Sequence, residues 1–479
     1  MRPGPYGTGA TGRGVISMTK SCRKAVRILM CVIVGCGIWY LAADNDQGED
    51  EAVSSAQAQG LSVAAQAAAP HTQPVLTLEY TDTDPAPCHP VLRWERVDGA
   101  VMYDVEVLRR QGESYIPLME PQRAYTNGIE LAMPEDFEGA EFCYRVRGLD
   151  VKGHIVGEPS ELGRVAYRRN QPFVERPSIS STYNDGNGTV LLYPVYDWLP
   201  VPGAASYEVE ILDAAPENPN GTTASEHRID VLYSESGQIY DRQPRYGSNP
   251  FYWRVRALAA DGSAIGVWSE AKSFLTNPQA NYEVATFGDS ISHGGGSISY
   301  SPTDWAFSYQ SYLSFPSVNL AESGDTSQMS LARFDRDVLP FHPRYLLIMM
   351  GSNNLRNGMD TDDIIQDMEA VRRKCLANGI RPVFLTLPPL NPVQIRSAFD
   401  DATDPDWQAN RERINAYIRS HVHIDVTPGM EDSYGDLRPE LAVDGLHLDP
   451  AGKFMIAKAI NEAWPQIKRL PESAFRRGA

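Results

Sequence analysis

Tyr282-Glu283-Val284-Ala285-Thr286-Phe287-Gly288-Asp289-Ser290 is the stretch from which the C-terminal part of this chain is read. Residues 283–287 are β-prone and stop at a glycine, the mark of a strand running into a turn. Working outward, residues 345–350, 381–387 and 421–427 read as further strands, with helical patterns between them. Across 361–378 the apolar residues Ile364, Ile365, Met368, Val371 and Cys375 recur at helical spacing. Asp360 or Thr361 can cap the start of that helix and Asn378-Gly379 can end it. Two more helices are expected, over 406–420 and 450–463. Alternating strands and helices imply a parallel sheet covered on both faces. In such sheets functional groups gather beyond the carboxyl ends of the strands.

That rule sends two strand tips to one crevice: Gly288-Asp289-Ser290 and Gly351-Ser352-Asn353. A serine there can act as a nucleophile if it is given a base, an orienting acid and donors for an oxyanion. Asp444-Gly445-Leu446-His447 carries acid and base three positions apart, so one short loop can hold both. Asn353 offers a side-chain N–H. Gly324, in Ala321-Glu322-Ser323-Gly324-Asp325, offers a backbone N–H with no Cβ in the way. Taken singly, Ser290 is a turn residue, Asn353 a loop cap and His447 a core histidine. The ordered set outweighs those bland readings.

These four stretches resemble the four signature blocks of the SGNH (GDSL-like) hydrolases, in that family's order. Gly288-Asp289-Ser290 matches the nucleophile block, Gly324 the oxyanion glycine, and Gly351-Ser352-Asn353 the Gly-x-Asn block. Asp444 to His447, followed by Leu448-Asp449-Pro450-Ala451-Gly452, matches the last block. The resemblance implies a flavodoxin-like α/β hydrolase domain over 279–479. It implies a Ser290–His447–Asp444 triad, and an oxyanion hole from the Ser290 N–H, the Gly324 N–H and the Asn353 amide. It implies neither cofactor nor metal. Two positions depart from the pattern. Asn354 stands where the family often has Asp, which puts local loop support in question, and Ile291-Ser292 replaces the leucine of the name-giving motif. Outside the blocks, His293 before Gly294-Gly295-Gly296 is either pocket wall or solvated loop. His421 and His423 read as structural, and Trp305 and Tyr309 as helix core. The long segment 388–404 follows a strand tip and is placed to cover the crevice.

Upstream, residues 74–278 hold two similar halves. Trp94, Val97, Gly99-Ala100, Tyr103 and Val105 in the first answer to Trp198, Val201, Gly203-Ala204, Tyr207 and Val209 in the second. Later, Tyr144-Arg145-Val146-Arg147 answers to Trp253-Arg254-Val255-Arg256. Alternating apolar and polar residues between turn signals predict half-buried strands, and two β-sandwiches. The pattern resembles fibronectin type III modules over 74–170 and 171–278, a multidomain chain of two immunoglobulin/fibronectin-like sandwiches before the α/β domain. Trp94 and Trp198 are expected in the cores. Modules of this kind space or dock a catalytic domain, and contact with glycan or envelope is open to them. A Cys88–Cys143 bridge is disfavoured by strand parity: Cys88 aligns with inward Leu92 and Trp94, Cys143 with outward Arg145 and Arg147.

The N-terminal segment, 1–43, places Lys20, Arg23, Lys24 and Arg27 before an apolar run from Ile28 to Ala43. Basic residues followed by an apolar core describe an export signal. The run falls short of the ~20 residues that a spanning helix prefers. A cleaved signal, a retained membrane anchor and a lipid on Cys36 all stay open, with Met18 as a second candidate start. The acidic, Ala/Gln/Ser-rich linker 44–73 is expected to be disordered. A net charge of −18 repels phosphate backbones, so no nucleic-acid partner is expected. The expected role is an extracytoplasmic serine esterase that removes short acyl groups from carbohydrate or cell-envelope polymers. A lipolytic or thioester hydrolase of the same fold, and a non-catalytic envelope binding protein, are the alternatives.

Overall fold

The computed structural model of the chain describes residues 72–180, 189–295 and 302–476. The export segment and nearly all of the linker expected after it lie outside them. The C-terminal part is built on six strands: β1 (Thr189–Leu191), β2 (Val284–Gly288), β3 (Ser317–Asn319), β4 (Tyr345–Met349), β5 (Arg381–Leu385) and β6 (His423–Ile424). They pair in the order β1-β3-β2-β4-β5-β6, every pairing parallel. All five residues of β2 and of β4 are buried, as expected where both faces of a parallel sheet are covered. The cover comes from α1 (Ser290–His293), α2 (Ser327–Asp337), α3 (Ser352–Arg356), α4 (Thr361–Ala377), α5 (Pro392–Phe399), α6 (Trp407–Arg419) and α7 (Pro450–Arg469).

Four elements differ from the sequence reading. The strand expected over 421–427 shrinks to two residues. The Asp425 carboxylate accepts from Thr386 Oγ1 at 2.9 Å and from Thr427 Oγ1 at 2.8 Å and N–H at 3.2 Å, a side-chain turn that ends the ladder. The helix expected to stop at 463 runs to Arg469 with Pro465 inside it. Ile456, Ile460, Trp464 and Ile467 are all buried and continue one apolar stripe, so core packing carries the helix past its proline. Segment 388–404 is not an open cover. It contains α5, and the Asn391 N–H donates to the Gly445 carbonyl at 2.8 Å. Trp305 and Tyr309 sit in 3-10 turns rather than a helix, with Tyr309 fully buried.

Residues 76–166 form two antiparallel sheets. One pairs Leu76–Thr77, Val91–Trp94 and Gly128–Glu130. The other is built on Met102–Gln111 and Glu141–Leu149. Trp94, Tyr103, Val105, Tyr144 and Val146 share the core between them, an arrangement consistent with a sandwich. The second half repeats the details. The Trp94 and Tyr103 rings lie 5.4 Å apart, and those of Trp198 and Tyr207 lie 5.2 Å apart. The Tyr103 hydroxyl accepts from the Val97 N–H at 3.2 Å, and the Tyr207 hydroxyl from the Val201 N–H at 2.8 Å. Cys88 and Cys143 are free thiols. Cys143 keeps its outward parity yet is buried, within hydrogen-bond reach of Tyr115 two strands away in the same sheet.

The boundary drawn at 278/279 is crossed. Strand β1, from the second half, is the edge strand of the parallel sheet. Leu192, Tyr193, Val195 and Tyr240 join the same core as Val284, Phe287 and Ile348.

Candidate active site

The site starts at the tip of β2. Gly288 has φ +148°, and a Cβ there would lie 1.7 Å from the Met349 carbonyl oxygen on β4, so only glycine lets the two strands close. Asp289 caps α1: its carboxylate accepts from the Ile291 N–H at 3.1 Å and from the Ser352 N–H at 3.2 Å. Burial pushes this carboxyl up to about 6 against those two bonds. Ser290 is thereby set at the first position of a helix, its side chain turned to His447.

The Ser290 Oγ lies 2.8 Å from His447 Nε2, and His447 Nδ1 lies 2.7 Å from Asp444 Oδ2. A carboxylate only accepts, so Nδ1 carries the proton and Nε2 is left to accept the serine hydroxyl. All three residues are buried. The other Asp444 oxygen accepts from the Leu446 N–H at 3.0 Å and the His447 N–H at 2.8 Å. Burial pushes the Asp444 carboxyl up, but His447 beside it and these hydrogen bonds overcome that and hold it below the usual carboxylate range. Gly445, at φ +88°, makes the turn between acid and base, and a Cβ there would meet the Asn391 carbonyl at 2.6 Å. The Phe399 ring of α5 stands 6.4 Å from the His447 ring, edge to face.

The remaining blocks are tied in by hydrogen bonds. Asn353 Nδ2 donates to the Asp325 carbonyl at 2.9 Å, which joins the start of α3 to the Gly324 loop. Gly324 has φ +91° and is exposed, and Asn353 is half-buried. Among the described residues the Gly324 N–H meets no hydrogen-bond acceptor, so it is open to a ligand. Asn354, the departure from the family pattern, is fully buried. Its Oδ1 accepts from the Ser327 N–H at 2.7 Å and its Nδ2 donates to Gln328 Oε1 at 2.9 Å, so the amide supports the start of α2. Of the two readings of His293, the loop one fails. The ring is fully buried, burial pushes it down to about 4, and Nε2 donates to the Tyr193 carbonyl at 2.9 Å. His423 Nδ1 bonds the His421 carbonyl at 2.9 Å and His421 Nδ1 the Tyr417 carbonyl at 3.0 Å, both local.

Three supporting groups escaped the sequence reading. Lys453 is buried against the site and donates from Nζ to the Ile291 carbonyl. Burial pushes its amine down to about 7, while Asp289 and Asp444 pull it back up. A lysine at 453, in register with the apolar positions 456, 457, 460 and 464, was the signal available for it. Arg333 donates to the Gly288 carbonyl at 3.0 Å, the Leu320 carbonyl at 2.7 Å and Asp325 Oδ2 at 2.6 Å. Tyr240 comes from the second β half, and no local pattern marks it.

The C-terminal part of the chain carries a GDSL-like ester hydrolase domain. Residues 286–453 match the GDSL-like Lipase/Acylhydrolase family. The chain is similar to Esterase TesA of Pseudomonas aeruginosa, 24% identical over 223 residues, which are 45% of this chain and 100% of that protein. Among solved structures it is similar to a GDSL-like lipase from Bacteroides thetaiotaomicron, 22% identical, with a TM-score of 0.31 over 38% of this chain and 88% of that one. It is also similar to the psychrotrophic esterase EstA from Pseudoalteromonas sp., 15% identical, with a TM-score of 0.30 over 39% of this chain and 100% of that one.

Proposed function

We propose that Ser290 is the nucleophile of an extracytoplasmic esterase that removes short acyl groups from carbohydrate or cell-envelope polymers. His447 takes the serine proton as the hydroxyl attacks the ester carbonyl. Asp444 fixes the imidazole tautomer and stabilises the imidazolium that forms. The Ser290 N–H, the Gly324 N–H and the Asn353 amide hold the oxyanion, and His447 then returns its proton to the departing alcohol. Water repeats the sequence on the acyl-enzyme. The observation that carries this reading is the unbroken hydrogen-bond relay from Ser290 through His447 to Asp444.

Short acyl groups are supported by the open side of the site, where Gly324 is exposed and Asn353 half-buried. Export is supported by the basic-then-apolar order of residues 20–43. The upstream halves are read as fibronectin type III-like modules that contact glycan or envelope, on the strength of the repeated Trp–Tyr pairs. A fluorophosphonate probe tests the nucleophile: labelling of the wild type and none of Ser290→Ala is expected. Turnover of acetyl esters and acetylated glycans is expected to exceed that of long-chain esters. A preference for long chains would move the assignment to a lipolytic or thioester hydrolase, and no labelling would sink the enzyme reading altogether.

A further inference from the structure

The Gly324 loop is gripped from two sides, and one grip comes from outside the α/β domain. On one side Asn353 holds the Asp325 carbonyl, while Ser330 Oγ at 2.7 Å and Arg333 Nε at 2.6 Å hold the Asp325 carboxylate. On the other, the Tyr240 hydroxyl accepts from the Ser323 N–H at 3.0 Å. Tyr240 ends the strand Gln238–Tyr240, which pairs antiparallel with Val195–Asp197 in the second β half. Its ring is buried, lies edge-on to the His293 ring at 5.1 Å and stacks near the Tyr193 ring at 6.5 Å. Both of those contacts lead back to α1: His293 is its last residue, and the Tyr193 carbonyl accepts from the His293 ring.

We infer that Tyr240 is a positioning residue for the oxyanion hole, and that the second β module is therefore a working part of the active site rather than a spacer. Ser323 is the residue before Gly324. A glycine at positive φ turns freely when nothing holds its neighbours, so the direction of its N–H depends on the peptides on either side. Tyr240 holds the N–H of the residue before Gly324 and Asn353 the carbonyl of the residue after it, so the two peptides that flank Gly324 are pinned at their outer ends. Donors aimed in advance at the position of the developing charge need no reorganisation during reaction, and that advantage goes when the loop is free to turn.

The inference rests on the serine-hydrolase reading, and the experiment separates the two. Loss of fluorophosphonate labelling in Ser290→Ala decides the nucleophile without reference to Tyr240. Full-length Tyr240→Phe, Tyr207→Phe and wild type are then titrated with the same probe, and kcat and KM for p-nitrophenyl acetate are measured per titrated site. Tyr207→Phe loses the same kind of bond, a backbone N–H to a tyrosine hydroxyl, inside the module. Tyr240→Phe is expected to lower kcat roughly 10-fold with KM changed less than about two-fold, short of the ~10²–10³ for removing a donor outright. Tyr207→Phe is expected to lower the melting temperature and leave kcat per site unchanged. Should Tyr240→Phe fail to fold, 3-fluorotyrosine at 240, with the same shape and a poorer acceptor oxygen, takes its place and is expected to give a smaller loss in kcat. Wild-type kcat in the position-240 variant, an equal loss in Tyr207→Phe, or an effect confined to KM overturns the inference.

Discussion

Asp444 and Glu130 are both buried carboxyls with opposite fates, and the two pull stability in opposite directions as pH changes. Asp444 meets a ring N–H and two backbone N–H groups and is held low. Its contribution to stability is present above the carboxyl's unfolded value and is lost as pH falls through the lower folded one. Glu130 lines a cavity of about 270 Å³ between the two β halves, facing Glu175, and burial pushes it up to about 8. A folded value above the unfolded one reverses the sign: the folded state is penalised increasingly as pH rises from about 4.5 to 8. Glu130→Gln should therefore raise the melting temperature at pH 8.5 by roughly 3–6 °C and leave it nearly unchanged at pH 4.5, as scanning calorimetry would read. At the site itself, Asp444→Asn keeps the shape of the relay but not the charge or the tautomer. It is expected to lower kcat on p-nitrophenyl acetate by a factor on the order of 10⁴ while the protein still folds. Most of this constellation was legible, because each block carries its own chemistry in a few adjacent letters. Tyr240 was not, since a tyrosine ending a three-residue strand has no local mark and its partner lies 83 positions away.

At the scale of elements, legibility followed length and burial. Strands β2 and β4 are buried throughout and apolar but for Thr286, and α4 runs 17 residues with a cap at each end, so their patterns stand clear of alternatives. Strands β1 and β3 have three residues each, too few for any period to show. The second β half hides another trap. Glu210 lies on a strand where alternation suggests a solvated face, yet it is fully buried, with Arg254 Nε at 2.6 Å and that guanidinium 4.8 Å from the Trp268 ring centre. The tightest joint is the meeting of β2 and β4 at Gly288. Gly288→Ala would drive a methyl into the Met349 carbonyl, and the backbone of either strand would have to yield. That variant should be recovered mainly as insoluble protein, or unfold at least 10 °C below the wild type. A soluble, fully active Gly288→Ala enzyme would show that the two strands are not locked together.

For the whole molecule, the parallel sheet is assembled from two parts of the chain with a β module between them. Residues 279–479 produced alone lack β1 and leave the backbone of β3 unpaired along one edge, with the apolar surface that Leu192, Tyr193 and Tyr240 cover laid open. That fragment should aggregate, whereas one beginning near residue 171 should be soluble and active. Size-exclusion chromatography and ester turnover on the two fragments would decide it, and a monodisperse, active 279–479 would refute the dependence.

The interrupted sheet also sets an order of events during synthesis. Residues 189–191 leave the ribosome long before 317–319, the strand they pair with in the finished sheet. For well over a hundred residues of translation the nascent chain carries an open strand beside a module that is otherwise ready to close. Slow codons or a bound chaperone over that interval would bear on the yield of native enzyme far more than the same delay placed after residue 319.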